Sequence, residues 1–206
     1  MQAIENGIYY INTELSNHPI SQKTTETLQA IHNSVDYADN IVKDLQSFAS
    51  KREPLFMEID INSLVKETFS HVKTPETVET VMELGELPKI EADKDMMKRI
   101  FVNLAVNGIQ AMNEKGGILK VSTKETNGFI EVKFKDTGIG IKKENIQKIF
   151  TPFFTTKAQG MGVGLSICKR FAEIHDGRIK VESEEGNGSI FTVKLPIQMN
   201  GGVKRD

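Results

Sequence analysis

Apolar residues recur at helical spacing in the first part of this chain, in the pattern of an amphipathic helix. The first stripe consists of Ile4, Ile8, Ile11 and Leu15. Pro19 ends that stripe, and a longer one runs from Leu28 to Ala49 before Pro54 stops helical growth. The pattern predicts an antiparallel helical hairpin over residues 1–54. Because a single hairpin cannot bury its own apolar stripe, a homodimeric four-helix bundle is expected.

Beyond Pro54 the pattern alternates between short strands and helices. Strands are predicted at residues 58–61, 77–84, 118–126, 129–135, 178–183 and 189–195. Helices are predicted from Asn62 or Ser63 to residue 69, from an Asp93 cap to residue 112, at residues 143–150 and at residues 162–175. Asn127-Gly128, between two alternating runs, is a strong signal for a hairpin turn. The mixture predicts an α+β fold, a two-layer α/β sandwich over residues 55–198, with a disordered tail at 199–206.

Composition and charge narrow the class of protein. The 206 residues carry a formal net charge of -2, with 38% hydrophobic and 26% charged residues, which is ordinary for a globular protein. A balance so close to neutral predicts no nucleic-acid partner. No run approaches the ~20 apolar residues of a membrane span, so no membrane contact by this segment is expected. Cys168 is the single cysteine, which excludes an internal disulfide and predicts a buried thiol in a cytoplasmic protein, with any membrane anchor upstream.

Two asparagines lie on one face of the second helix predicted in the sandwich. Asn103 and Asn107 are one helical turn apart, and Ile100, Leu104 and Ile109 would serve the core side. Asparagine is a poor helix former, so two on one face require a reason. In one interpretation Asn107 offers its amide oxygen to Mg²⁺, a cation that prefers oxygen ligands, with Asn103 beside phosphates. In the other, both are simply solvated polar residues.

A glycine-rich turn follows one of the predicted strands. It reads Asp136-Thr137-Gly138-Ile139-Gly140. The two glycines let the backbone come close to a ligand, and Asp136 offers a carboxylate acceptor suited to the amino group of adenine. The alternative is an ordinary turn that ends a strand and is capped by Asp136.

A second glycine-rich turn opens the last predicted helix, and it reads Gly160-Met161-Gly162-Val163-Gly164-Leu165. Backbone N–H groups at a helix start favour phosphate. The spacing differs from the dinucleotide fingerprint G-x-G-x-x-G, and no Gly-Lys-Ser/Thr follows, which excludes a P-loop. The preceding loop carries aromatic residues at Phe150 and Phe153, for which burial in the core is the alternative to a docking role. Lys157 in the same loop can reach a terminal phosphate as a point charge.

Taken in order, these features form a far more specific pattern than any one of them. An asparagine helix, a strand-end Asp-x-Gly-x-Gly, a Phe-x-Pro-Phe loop and a Gly-x-Gly-x-Gly helix start resemble the N, G1, F and G2 boxes of sensor histidine kinases. These kinases share an ATP-binding fold, of the Bergerat type, with gyrase, the heat-shock chaperones and the mismatch-repair ATPases. The resemblance covers residues 55–197. Gln110-Ala111 and Phe154-Thr155-Thr156-Lys157 are most like the nitrogen-regulator subgroup.

The resemblance implies a role for each matching residue. Asn107 would bind Mg²⁺, Asn103 would contact the phosphate and metal region, and Lys157 would be the third catalytic residue. Asp136 would hydrogen-bond the adenine amino group. The other ATP-binding residues that it implies are Gly138, Gly140, Ile141, Phe150, Thr156, Gly160, Met161, Gly162, Val163, Gly164 and Leu165. Residues 150–160 would form a mobile ATP lid, and Met161 supplies no hydroxyl where the family usually has Thr or Ser.

One position separates the kinases from their hydrolysing relatives. Those relatives carry a glutamate as general base four residues before the asparagine that binds Mg²⁺, where this chain has Asn103. An amide cannot accept a proton near neutral pH, so the chain is expected to keep ATP for an external nucleophile. The resemblance then implies a kinase that phosphorylates a histidine and passes the phosphoryl group to an aspartate of a response-regulator receiver domain.

The acceptor histidine of such kinases lies in a box on the first hairpin helix, and no such box is present here. His18 is predicted in the interhelical turn and His32 on the second helix, whereas His71 and His175 are expected to be structural. The interpretation is that the box lies upstream of Gln2, so this chain would bind Mg·ATP without phosphorylating itself. The alternatives are His32 as a noncognate acceptor, a hydrolase or serine-directed anti-sigma kinase of the same superfamily, and a scaffold that only binds nucleotide.

Overall fold

The chain divides into two compact units, Met1–Lys51 and Arg52–Asp206. The computed structural model describes residues 7, 11, 13, 21–49, 53–112, 115–157 and 160–198. In the first unit helix α1 spans Gln22–Ala49 and covers the second predicted stripe, and residues 7, 11 and 13 are helical. Most of the predicted first hairpin helix, its turn and the predicted tail lie outside the described residues. None of the described helices is long and apolar enough to cross a membrane.

The second unit contains seven described strands and four described helices. In chain order the strands are β1 (Phe56–Ile59), β2 (Val78–Leu84), β3 (Ile90–Asp93), β4 (Gly117–Thr126), β5 (Phe129–Asp136), β6 (Arg178–Ser183) and β7 (Ser189–Pro196). The helices are α2 (Ile61–His71), α3 (Lys94–Met112), α4 (Lys143–Ile146) and α5 (Gly164–Ile174). Five strands form a sheet in the order β2-β4-β5-β7-β6, while β1 and β3 pair separately as an antiparallel ribbon.

The helices cover one face of the five-stranded sheet. Alternate residues of β5, Ile130, Val132 and Phe134, are buried, and so are their register partners on β7. On β4, the partners of Val132 and Phe134 are buried as well. The intervening residues of β5 are partly or fully exposed, so the second face is not packed in the same way. Only β2 and β4 run parallel, and the other neighbouring strands are antiparallel. The predicted two-layer α/β sandwich is therefore confirmed.

Helix α2 begins earlier than the sequence pattern predicts. Asp60 Oδ1 accepts a hydrogen bond from the Ser63 N–H at 3.1 Å, and its other oxygen accepts one from the Ser63 hydroxyl at 3.0 Å. The N-cap is therefore Asp60, and not Asn62 or Ser63, and the strand before it ends at Ile59. Asn62 instead accepts a hydrogen bond from the Thr123 hydroxyl at 2.8 Å, which ties α2 to the sheet.

Strand β3 is absent from the sequence prediction. It has only four residues and stands directly before α3, so its alternation of buried Ile90 and Ala92 with Glu91 is too short to be recognised alone. It forms because β1 pairs with it, and that pairing joins residues distant in the chain.

Helix α4 is shorter than the helix predicted at residues 143–150, since it ends at Ile146 and turns follow.

Asp93 and His175 form a buried junction between β1, α3 and α5. The Asp93 carboxylate accepts the Met96 N–H at 3.0 Å, which caps α3 as predicted, and its other oxygen accepts the Leu55 N–H at 2.8 Å. The Asp93 N–H donates to His175 Nε2 at 2.9 Å, and His175 Nδ1 donates to the Phe171 carbonyl at 2.7 Å. One acceptor and one donor nitrogen require a neutral imidazole. Desolvation of this buried ring lowers the pKa of His175. His175 is therefore a structural residue, as the sequence predicts.

The neutral ring of His175 predicts that the free energy of unfolding falls in mild acid. Its pKa is lowered in the folded chain, so below pH 6.5 the unfolded chain binds a proton that the folded chain does not. This contribution to stability is complete above pH 6.5 and declines by up to about 1.4 kcal/mol per pH unit as the pH falls toward the folded pKa. Denaturant unfolding of the wild type and of His175→Gln on both sides of that pH measures the difference.

His71→Gln is the matched control for this measurement. His71 is exposed at the end of α2, so removing its ring leaves the buried junction intact. We expect His71→Gln to keep the wild-type slope of stability against pH, and His175→Gln to lose part of that slope. Equal slopes in all three proteins would contradict a buried imidazole that resists protonation.

Candidate functional site

One face of α3 carries three amide side chains. Asn103, Asn107 and Gln110 follow one another at helical spacing, while Ile100 and Leu104 on the core side are buried. The two asparagines are partly buried and Gln110 is exposed. The helix therefore displays a stripe of neutral oxygen acceptors and N–H donors that no carboxylate interrupts.

Asp136 ends β5 with a buried carboxylate. Its Oδ1 accepts backbone hydrogen bonds from Gly138 at 2.9 Å and from Ser189 at 3.2 Å. Within the described part of the chain Oδ2 accepts no hydrogen bond, which leaves that oxygen for a ligand. Burial raises the pKa of Asp136, and the backbone hydrogen bonds and the charge of Lys157 oppose this rise. A Cβ on Gly108 would lie 4.0 Å from Oδ2, so the carboxylate adjoins the amide face of α3.

The loop after β5 is fastened to α3 through its backbone. The Ile139 N–H donates to the Ala111 carbonyl at 3.0 Å, and the Ile141 N–H donates to the Ser183 hydroxyl at 2.9 Å. A Cβ on Gly138 would come within 2.5 Å of the Ala111 carbonyl oxygen. A larger residue at Gly138 would therefore push the loop away from α3 and with it the carboxylate of Asp136.

The segment predicted to form the ATP lid, residues 150–160, is called the lid here, and it begins with two aromatic residues in different environments. Phe150 is partly buried against the core, whereas Phe153 is 59% exposed and has a φ of 65°. A positive φ is uncommon for a bulky residue and indicates local strain. After the lid, Gly162 also has a φ of 68°, and a Cβ there would lie 2.4 Å from the Phe154 carbonyl oxygen. Glycine is required at 162 because the second glycine-rich turn closes against the aromatic residues.

Lys157 connects the lid to α3. Its Nζ donates to Asn107 Oδ1 at 2.9 Å and to Gln110 Oε1 at 2.6 Å. The residue as a whole is exposed, yet its ammonium is desolvated, which lowers the pKa of Lys157, and the charge of Asp136 opposes that shift. The sequence predicts this lysine beside phosphates, and the structure places its ammonium on the oxygen predicted for Mg²⁺. Gln110 is a further residue of this site that was not predicted from the sequence. Its helical spacing from Asn107 is the feature that could have identified it.

Helix α5 begins beside Asn103. Asn103 Nδ2 lies 3.5 Å from the Gly164 carbonyl oxygen and 3.6 Å from the sulfur of Cys168, which is buried as predicted. Val163 is the N-cap, and no described side chain caps the helix start. The first N–H groups of α5 are therefore available to an anion.

The remaining predicted residues lie along the same loops. Gly140 has a φ of 68°, Thr156 is exposed, Gly160 is partly buried, and Ile141, Met161 and Leu165 are partly buried against the core. A Cβ on Gly108 would lie 4.0 Å from Asp136 Oδ2, and the neighbouring residue Asn107 is hydrogen-bonded to Lys157. A second contact joins Asn103 to the start of α5. The predicted residues are thus brought to one region of the molecule.

The donor set suits Mg²⁺ that arrives with phosphates. Among the described residues, no group of three or more His, Cys, Asp or Glu can hold a metal ion. Asn107 Oδ1 is a hard oxygen donor, and Mg²⁺ is usually bound by one or two protein oxygens together with substrate phosphates and water. The residues present therefore fit Mg²⁺ bound to a nucleotide and do not make a metal site by themselves.

Residues 92–199, more than half of the chain, match the family described as histidine kinase-, DNA gyrase B- and HSP90-like ATPase. The chain belongs to this family. Within it, the chain is 33% identical to the signal transduction histidine-protein kinase AtoS of Escherichia coli over 199 residues, which cover 95% of this chain and 32% of AtoS. The chain spans between 19% and 40% of the length of the first four curated relatives that it matches, of which three are named histidine kinases and one a sporulation kinase.

Solved structures place this ATPase domain among the histidine kinases. The catalytic domain of histidine kinase ThkA is 32% identical with a TM-score of 0.62, and the match covers 69% of this chain and 96% of that one. ThkA in complex with the response regulator protein TrrA is 27% identical with a TM-score of 0.71, and the match covers 93% of this chain and 57% of that one. This chain therefore carries the ATPase catalytic domain of the two-component sensor kinases, as the four sequence boxes predict.

Proposed function

We propose that this chain is the catalytic module of a sensor histidine kinase and that it transfers the γ-phosphoryl group of ATP to a histidine rather than to water. The observation that carries the proposal is the side chain at position 103. Hydrolysis requires a general base to take a proton from water, and the Asn103 amide, which donates toward the Gly164 carbonyl, cannot act as one. ATP is therefore kept for an external nucleophile.

Each part of the site has one task in this proposal. Asn107 holds Mg²⁺ through its amide oxygen, and Asp136 Oδ2 accepts the adenine amino group. The first N–H groups of α5, together with Asn103 and Lys157, bind the phosphates. The bound Mg²⁺ supplies charge stabilisation during phosphoryl transfer. Catalysis in this domain then depends on positioning and electrostatics, without a protein base.

We place the acceptor histidine outside the four histidines of this chain. His71 Nδ1 is hydrogen-bonded to the Glu67 carbonyl at 2.8 Å, and His175 is buried. From the acceptor, the phosphoryl group passes to an aspartate of a response-regulator receiver domain. The similarity to ThkA, whose structure is known with a response regulator, supports this partner.

In this proposal the protein acts in the cytoplasm, and the two units of the chain have different roles. The helical part described in the first unit, α1, serves homodimerisation, and residues 55–198 bind Mg·ATP. The apolar stripe of α1 supports a helical partner, because such a stripe needs another helix to cover it.

Incubation with γ-labelled ATP and Mg²⁺ tests the proposed reaction. We expect binding of ATP, no acid-labile label on this chain, and acid-labile label on a second polypeptide that carries an acceptor histidine on a dimerisation hairpin. Stoichiometric label on this chain alone would show that it contains its own acceptor. Steady release of inorganic phosphate would favour a hydrolase, and binding without either product would favour a scaffold.

A further inference from the structure

The ammonium of Lys157 is bound by two amide oxygens on α3. Asn107 Oδ1 accepts its hydrogen bond at 2.9 Å and Gln110 Oε1 at 2.6 Å, and we call these two oxygens the amide pair. The pair lies on one helix face with i, i+3 spacing, so α3 holds both oxygens in place. An ammonium group can only donate, so both amides turn their oxygens toward it.

A divalent cation cannot join Lys157 on the same oxygen. Mg²⁺ binds an oxygen ligand at about 2.0–2.1 Å, and the Lys157 ammonium is 2.9 Å from Asn107 Oδ1. Two cations on one amide oxygen would lie close together in a region where the ammonium is already desolvated. Their repulsion there is larger than the gain from a single hydrogen bond.

We propose that Lys157 and Mg²⁺ are alternative occupants of Asn107 Oδ1, and that Gln110 is the positioning residue that keeps Lys157 on the amide pair. The inference rests on the proposed function, because Mg²⁺ reaches Asn107 together with a nucleotide. Binding of the Mg–nucleotide complex displaces the ammonium from α3. The displaced lysine then becomes available to the phosphates.

This competition couples the lid to the metal. Lys157 belongs to the lid, and its two hydrogen bonds join the lid to the helix that carries Asn107. Entry of Mg²⁺ breaks that connection, so the lid must rearrange whenever the metal binds. A lysine that bound only phosphate would impose no such coupling, and Gln110 would then have no effect on the metal.

The Mg²⁺ dependence of ADP binding tests the competition. A fluorescent ADP analogue is titrated with Mg²⁺ at fixed nucleotide concentration, for the wild type, Gln110→Leu and Lys157→Met. ADP is chosen because it lacks the terminal phosphate to which the lysine would otherwise contribute. We expect both substitutions to lower the Mg²⁺ concentration at half-maximal binding by about three- to tenfold, since each weakens the competing occupant.

Two exposed neighbours provide matched controls. Gln147→Leu and Lys148→Met make the same changes of side chain outside the amide pair, and both should keep the wild-type midpoint. Gln110 is exposed, so its substitution leaves the core intact, and a thermal melt verifies this. A midpoint in Gln110→Leu that equals or exceeds that of the wild type overturns the inference. Failure of the wild type to bind ADP at any Mg²⁺ concentration would instead refute the proposed function.

Discussion

Replacing Asn107 with alanine is expected to weaken Mg·ATP binding by about 10–100-fold and to reduce phosphoryl transfer by about 10²–10³-fold. Asn107 Oδ1 is the protein oxygen proposed for Mg²⁺, and alanine offers no replacement. The affinity for ATP should then be nearly the same in Mg²⁺ and in a metal chelator. Calorimetric titration under both conditions measures this difference directly.

Asn187→Ala is the control for loss of an asparagine. Asn187 is exposed, and its side chain bonds only to Glu184 among the described residues, so this variant should keep the wild-type response to Mg²⁺. Asn107 is partly buried and its amide contacts Lys157, so Asn107→Ala should fold and melt close to the wild type. A wild-type difference between Mg²⁺ and chelator in Asn107→Ala would show that another residue binds the metal.

Replacing Asp136 with asparagine is expected to weaken binding of adenine nucleotides by about a hundredfold and to favour inosine nucleotides. The amide oxygen can still accept from Gly138 and Ser189, as Oδ1 does, so the fold is retained. The NH₂ group then replaces Oδ2, and it opposes the adenine amino group but can donate to the carbonyl of inosine. A site that loses its matching hydrogen-bond partner typically discriminates strongly against the former substrate. Competition between ADP and IDP measures the change in preference.

The raised pKa of Asp136 predicts how ADP binding depends on pH. Because burial raises the pKa of Asp136, the carboxylate acceptor is present above that raised pKa and is lost as the pH falls through it. The wild type should therefore lose ADP affinity in acid before an ordinary carboxyl would titrate, and Asp136→Asn should not. Asp95→Asn, an exposed change of the same charge, is the control and should bind ADP as the wild type does. An unchanged ratio of ADP to IDP affinity in Asp136→Asn would exclude contact between Asp136 and the base.

Local sequence patterns predicted most of the secondary structure because most elements here carry their own signal. The alternation on β5 and the Asn127-Gly128 turn predicted the central hairpin, and α3 carries both its helical stripe and its Asp93 cap. Strand β3 was missed because it is too short for a pattern and depends on pairing with β1. The start of α2 was misplaced because Asp60, Asn62 and Ser63 can each cap a helix, and only tertiary contacts give Asn62 a different partner.

The candidate site was likewise predictable from the sequence only where a signal lies within one element. Asn103 and Asn107 can be placed on one face from spacing alone, and the glycines of both turns can be recognised as positions that exclude a side chain. Spacing could not predict that the Lys157 ammonium contacts Asn107 and Gln110, residues that are 50 and 47 positions away in the chain.

The sequence by itself determined the order of the four boxes, the α/β sandwich they belong to and the amide at position 103 that favours a kinase over a hydrolase. These depend on residue identity and on spacing within single elements, which local backbone geometry sets. Only the tertiary structure decided that one oxygen of Asp136 accepts no hydrogen bond from the described residues, that His175 is neutral and buried, and that Lys157 contacts the proposed metal ligand. Each of these depends on groups from distant segments that are brought together by burial of a common core, and such long-range contacts leave no period in the sequence.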